Sequence, residues 1–143
     1  MMKMARAQGG AEFLIMLFVV LTLFLMSVFI YIQNISDAEA ARSGVEANAA
    51  CVRASSAIAS LAALGNGANY TLNLPVQINL KNYTARVLSN ASRVQIDYSV
   101  GGRDAGIGCV FPAVNISNST GNAFFVLQRN STLRNVGGAI VVD

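Results

Sequence analysis

The chain has 143 residues, of which 54% are hydrophobic and only 12% are charged, with a formal net charge of +3. It contains no histidine and two cysteines, so neither a histidine-based catalytic site nor an ordinary zinc centre can be built from it, and no enzyme activity, metal or cofactor is expected. Lysine and arginine are scattered and do not cluster with aromatic residues, which argues against a nucleic-acid partner.

The first predicted element is an apolar helix near the start of the sequence. Phe13 to Ile32 are twenty consecutive residues without an ionisable side chain except Tyr31. As a helix they would extend about 30 Å, enough to cross a bilayer. Two basic residues precede this run and two acidic residues follow it. The charge asymmetry predicts a cytoplasmic N-terminus and export of everything beyond Ile32.

Small residues precede the apolar run, and one acid lies directly against its start. A secretory signal has a shorter apolar core, with its small residues on the other side. In this chain Ala7 is followed by Gln8, Gly10, Glu12 and Phe13. If Gln8 is numbered +1, the order is glutamine at +1, a small residue at +3, glutamate at +5 and an aromatic residue next. This pattern resembles the class III signal peptide of archaeal type IV pilin precursors, in which glycine more often precedes the glutamine and serine more often stands at +3.

The resemblance implies how the N-terminal end is processed. A membrane-embedded prepilin peptidase would cut between Ala7 and Gln8 on the cytoplasmic side, and the apolar helix would be retained as the core of a filament. Glu12 would then pair with the new α-amino group of Gln8 in a neighbouring subunit and set the register between them, because a buried charge is tolerable only when it is paired. The alternative is a signal anchor in which Glu12 is incidental.

The helix is expected to continue far beyond the apolar run. Residues 36–64 are rich in alanine and contain no proline, so residues 8–64 are predicted to form one long helix. One face of its second half carries an apolar stripe at helical spacing that needs a partner. The stripe consists of Ala47, Cys51, Ala54, Ile58 and Leu61. A glycine directly after Leu64 predicts the helix stop.

From residue 68 onward the hydrophobic period becomes two, which is typical of half-buried antiparallel strands. Five segments carry this prediction: Tyr70–Leu80, Val94–Val100, Gly108–Phe111, Ala123–Leu127 and Ala139–Val142. We therefore predict an α+β fold with a leader at residues 1–7, a long helix at 8–64 and a head at 68–143. In the head, a small antiparallel sheet of five or six strands would pack on the C-terminal half of the helix.

The two cysteines lie in different predicted elements, Cys51 on the apolar stripe and Cys109 in a strand. Export would permit a disulfide, and the closed loop of nearly 60 residues would stabilise the fold by a few kcal/mol in the chain-entropy model. The alternative is a pair of buried thiols that pack as small hydrophobic groups.

Asn-x-Ser/Thr sequons occur seven times, several times more often than a chance arrangement would give, and mark candidate N-glycosylation sites of an exported protein. They are Asn34, Asn69, Asn82, Asn90, Asn115, Asn118 and Asn130. The alternative is that Asn, Ser and Thr co-occur because all three form turns. Asn34 is the weakest candidate, since it adjoins the apolar helix.

These features together predict the structural subunit of an archaeal type IV-like pilus. Its partners would be further copies of itself in a helical homopolymer, the prepilin peptidase and assembly machinery, and the membrane before assembly. It would begin as a single-pass membrane precursor and end in an extracellular filament at the cell surface, where the resemblance implies a role in adhesion. The alternative is a minor pilin or a membrane-tethered cell-surface glycoprotein with the same signal.

Overall fold

A computed structural model describes the backbone of residues 2–143 and the side chains of residues 10–143. It contains one long helix, eight strands and one short 3-10 helix at Ser89–Ala91. The elements are α1 Met2–Leu64, β1 Asn69–Asn73, β2 Thr84–Leu88, β3 Arg93–Val100, β4 Arg103–Val110, β5 Ile116–Asn118, β6 Phe124–Leu127, β7 Asn130–Val136 and β8 Ala139–Val142. The chain divides into two compact units, Met1–Ala38 and Glu39–Asp143.

The first unit is helical and exposes its apolar side chains. Every large hydrophobic side chain from Phe13 to Ile32 is at least 39% exposed. The hydroxyl groups of Thr22 and Ser27 do not depend on solvent, because each donates a hydrogen bond to the carbonyl four residues earlier: Thr22 to Phe18 at 2.8 Å and Ser27 to Leu23 at 2.9 Å. This part of α1 therefore presents apolar groups to its surroundings on all sides.

In the second unit, α1 buries the predicted stripe. Ala47, Cys51, Ala54 and Ile58 have no exposed surface, and Leu61 is 1% exposed. Because most of these side chains are small, strands can approach the helix closely. The predicted apolar face of the helix is confirmed.

The strands form two four-stranded sheets. Sheet 1 has the order β1-β7-β8-β5 and sheet 2 the order β4-β3-β2-β6. All neighbouring strands are antiparallel except β5 and β8, which are parallel. Inward side chains of both sheets join the helix stripe in one hydrophobic cluster. The α+β fold class is confirmed, but the head has eight strands in two sheets instead of five or six in one.

Strands β2, β5 and β7 were not predicted from the sequence, because they are short or because some of their inward residues are polar. On β7 the inward residues are Ser131, Leu133 and Asn135, all buried, so the alternation of polar and apolar residues is concealed. On β2 only Ala85 and Val87 point inward, and β5 has three residues.

The predicted strand at residues 70–80 is shorter than expected. Strand β1 ends at Asn73, and Pro75 cannot donate a backbone hydrogen bond to extend the ladder. A tight turn follows, in which Asn79 and Leu80 both have positive φ, 47° and 61°. The helix fixes this turn, because the Asn79 backbone N–H donates to Glu46 Oε2 at 2.6 Å.

Asn135 connects the end of the helix to the strands. Its side chain is 3% exposed; Nδ2 donates to the Leu61 carbonyl at 3.1 Å and Oδ1 accepts from the Gly138 N–H at 3.0 Å. The Leu61 carbonyl belongs to the last turn of α1, where carbonyl groups have no partner within the helix. The helix then stops as predicted, with Gly65 at φ 81°.

Replacing Asn135 with Ala should lower the free energy of unfolding by about 1–3 kcal/mol, because buried partners would lose their hydrogen bonds. The same change at Asn73, an exposed asparagine of β1, is the matched control and should cost far less. Chemical unfolding of the detergent-solubilised chain measures both. Equal losses for the two variants would show that Asn135 does not cap the helix.

Candidate functional site

The processing motif lies on α1. The side chains of Ala7 and Gln8 lie outside the described residues, so their proposed roles stay predictions. Gly10 and Glu12 are exposed. A Cβ added at Gly10 would meet no atom within 4 Å, so the fold of this chain alone does not require a small residue at that position.

The apolar segment, residues 13–32, is the largest exposed apolar surface that the structure describes. A helix that is hydrophobic all round normally lies within a protein core or a membrane. This helix is long and apolar enough to cross a membrane, and its most apolar part is not buried within the chain. Lipid or other protein chains can therefore cover it, and Glu12 lies at its N-terminal boundary.

A disulfide joins Cys51 of α1 to Cys109 of β4, with the two Cα atoms 5.8 Å apart. This is the pairing expected from the sequence. Strand β4 is an edge strand of sheet 2 and has one neighbour, β3. The disulfide thus fixes an edge strand to the helix directly, in addition to its hydrogen bonds with β3.

Six of the seven sequon asparagines are exposed. Five lie in loops, the 3-10 helix or the first position of a strand, whereas Asn34 lies on α1 in the first unit. Asn118 is half-buried, and its Oδ1 accepts hydrogen bonds from Thr120 Oγ1 at 2.8 Å and the Asn122 N–H at 2.7 Å. These positions suit both glycan acceptors and turn formers, so glycosylation stays a prediction.

Charged groups of the second unit interact in local pairs. Arg42 Nε lies 2.9 Å from Glu46 Oε1. The hydrogen bond from Arg42, together with that from the Asn79 backbone, lowers the pKa of Glu46 below its ordinary value. At neutral pH the carboxylate is therefore ionised and available as the acceptor that fixes the 78–81 turn.

Burial raises the pKa of Tyr83, whose hydroxyl donates to the Pro75 carbonyl at 2.6 Å.

Sequence analysis missed a polar ladder on the outer face of sheet 2, formed by Arg93, Gln95, Asp97 and Arg86. Arg93 Nη2 donates to Gln95 Oε1 at 3.3 Å, and Gln95 Nε2 donates to Asp97 Oδ1 at 2.7 Å. Arg86 Nε lies 3.3 Å from Asp97 Oδ2. The polar positions of β3 are visible in the sequence, but their hydrogen bonding and their neighbour Arg86 depend on strand register.

Three residues of the polar ladder, Arg86, Gln95 and Asp97, line an open cleft of about 610 Å³. Its lining also includes Asn82, Thr84, Asp104 and Gly106. Among the described residues there is no cluster of three His, Cys, Asp or Glu side chains that could hold a metal ion. The lining offers amide, hydroxyl, carboxylate and guanidinium groups for hydrogen bonding.

Comparison with known proteins gives no further assignment: no family model, curated protein or solved structure matches this chain.

Replacing Cys51 and Cys109 together with Ala should lower the free energy of unfolding by about 4 kcal/mol in the chain-entropy model, since the bond closes a loop between residues 58 positions apart. Thermal unfolding with and without a reductant measures this loss. Reductant should destabilise the wild-type chain and leave the double variant unchanged. A wild-type chain whose unfolding is unaffected by complete reduction would rule out a stabilising role for the bond.

Proposed function

We propose that this chain is the structural subunit of an archaeal type IV-like pilus, cleaved after Ala7 and assembled through the apolar segment. The observation that carries the proposal is the position of that segment: an apolar helix surface, exposed on all sides, follows directly after the Ala7, Gln8, Gly10 and Glu12 pattern.

Assembly from the membrane follows from what can cover this surface. Before assembly, lipid surrounds residues 13–32; in a filament, the same residues of neighbouring subunits replace the lipid. Because lipid tails are as apolar as the side chains, close packing and specific polar contacts must favour association. Glu12 and the α-amino group of Gln8 in a neighbouring subunit supply such a contact, and its loss leaves an unpaired charge in an apolar environment.

The second unit has the properties of a filament exterior. Its core is closed by both sheets around one helix face, the disulfide secures it, and most sequons project from loops and strand ends. Sugars on these sites would supply the solubility that a 12% charged composition does not. Adhesion is the activity that we propose for the assembled surface.

The decisive experiment is N-terminal sequencing of protein sheared from the surface of cells that produce this chain. Fibres whose subunits begin at Gln8 would support the proposal. Recovery of the same processed chain only in the membrane fraction, without fibres, would instead support a minor pilin or a membrane-tethered glycoprotein. Subunits that retain residues 1–7 would contradict the processing step itself.

Replacing Glu12 with Gln should reduce filament yield by about tenfold or more while cleavage after Ala7 continues, because the buried charge pair is needed between assembled subunits but not within the precursor. Electron microscopy and quantification of sheared fibres measure yield, and mass spectrometry of the membrane fraction measures cleavage. Glu39→Gln makes the same change at an exposed acid of α1 outside the apolar segment and should leave yield unchanged. Normal filaments from the Glu12 variant would refute the pairing.

A further inference from the structure

Two glycines of β4 leave room for the polar ladder, and one of them, Gly106, also lines the cleft. Gly106 and Gly108 of β4 lie opposite Asp97 and Gln95 of β3. A Cβ at position 106 would lie 3.1 Å from Asp97 Oδ1, and one at position 108 would lie 2.8 Å from Arg93 Cδ. The absence of side chains at these two positions lets the polar ladder lie close against β4, where side chains would otherwise push it away.

The charges and hydrogen-bonding groups of the cleft favour a neutral ligand with many hydroxyls. The charged side chains that line the cleft are Arg86, Asp97 and Asp104. Arg86 is paired with Asp97, and the remaining carboxylate of Asp104 disfavours an anion and can accept hydrogen bonds from hydroxyl groups. The ladder offers guanidinium, amide and carboxylate groups held in place by one another. Oδ2 of Asp97 lies 3.3 Å from Arg86 Nε, and Oδ1 accepts from Gln95. The Asp97 side chain is still 30% exposed, and a carboxylate has more lone pairs than these two contacts use, so Asp97 keeps acceptor capacity for a hydroxyl group.

The cleft also contains a sequon. Asn82, Tyr83 and Thr84 all line it, and Asn82 is exposed. The hydrogen bond from the Tyr83 hydroxyl to the Pro75 carbonyl anchors the middle residue of this sequon. A sugar linked to Asn82 Nδ2 would therefore begin at the cleft, and the other six sequon asparagines are not among the residues that line it.

We propose that the cleft is a glycan-binding surface and that its occupant is the first part of an N-linked glycan on Asn82 of the same chain. This rests on the glycosylation included in the proposed function. The sugar hydroxyls would hydrogen-bond to Gln95 and Asp97, whose planar groups can each contact two atoms of one ring. Because the glycan is covalently attached, its effective concentration at the cleft is about millimolar or higher, so weak hydrogen bonds suffice to keep it there. The bound glycan would shield the polar ladder and the adjoining edge strand β4.

The test uses full-length protein purified from cells that glycosylate it. Glycopeptide mass spectrometry first establishes which sequons carry sugar. Thermal unfolding then compares Asn82→Gln with Asn115→Gln, which removes an exposed sequon outside the cleft. We expect sugar on Asn82, and a midpoint several degrees lower for the Asn82 variant than for the Asn115 variant. Equal shifts would overturn the proposal.

A double-mutant cycle identifies the contact. Gln95→Ala should lower the midpoint when Asn82 is glycosylated and have a clearly smaller effect in the Asn82→Gln background, since both changes remove one interaction. Additive effects would show that the glycan does not touch the polar ladder. Glycans released from the wild-type protein and added at millimolar concentration should partly restore the midpoint of Asn82→Gln, because they then approach the effective concentration of the attached glycan. No restoration would count against binding of the glycan in the cleft.

The outcomes also separate this inference from the proposed function. Sugar on other sequons but none on Asn82 would overturn the inference and leave the pilus subunit proposal intact. Fibres that begin at Gln8 but carry no sugar at all would overturn the inference together with the glycan coat, and not the filament.

Discussion

The fold of the second unit depends on one apolar face of α1, against which inward side chains of both sheets pack. Ala47, Cys51 and Ala54 carry small side chains and are fully buried, so strands can lie close to the helix axis along that stretch. Ile58 and Leu61 are the larger members of the stripe and belong to the hydrophobic cluster that both sheets join. Eight strands, most of them short, can form a core here because the helix supplies apolar surface that a thin sheet alone would lack.

Polar groups complete this core at the places where apolar packing ends. Asn135 satisfies a carbonyl of the last helical turn, Glu46 accepts a hydrogen bond from the turn at residues 78–81, and Ser131 Oγ bonds to both the N–H and the carbonyl of Gln128. Each of these side chains bonds to backbone and so fixes the path of a loop, and only Glu46 among them is charged. A chain with few ionic residues can therefore still define its turns and helix ends.

The parts of the fold that were predictable from sequence are of two kinds. In one, the hydrophobic period of the sequence matches the buried positions; in the other, a glycine marks the end of an element. The helix face, the stop after Leu64 and strand β8 at Ala139–Val142 follow from such patterns. Strand β7 does not, because two of its three inward residues are polar and are buried with hydrogen-bond partners: Ser131 bonds to nearby Gln128, and Asn135 bonds to distant Leu61. Strand β4 begins at Arg103, five residues before the predicted segment Gly108–Phe111, because its glycines at 106 and 108 are typical of turns in sequence; the structure has a turn only at 101–102.

The two candidate sites differ in the same way: one can be found from sequence, and the other depends on the pairing of distant strands. A processing motif acts as a linear pattern, so the sequence alone suffices to nominate Ala7, Gln8, Gly10 and Glu12. The polar ladder instead depends on the register between β2, β3 and β4, which places Arg86 beside Gln95 and Gly106 beside Asp97. Long-range register is not encoded in local spacing, and glycines that signal a turn in sequence serve here to leave room for a neighbour's side chain. The same residue type thus has opposite meanings at 101–102 and at 106–108, and only the pairing of the strands distinguishes them.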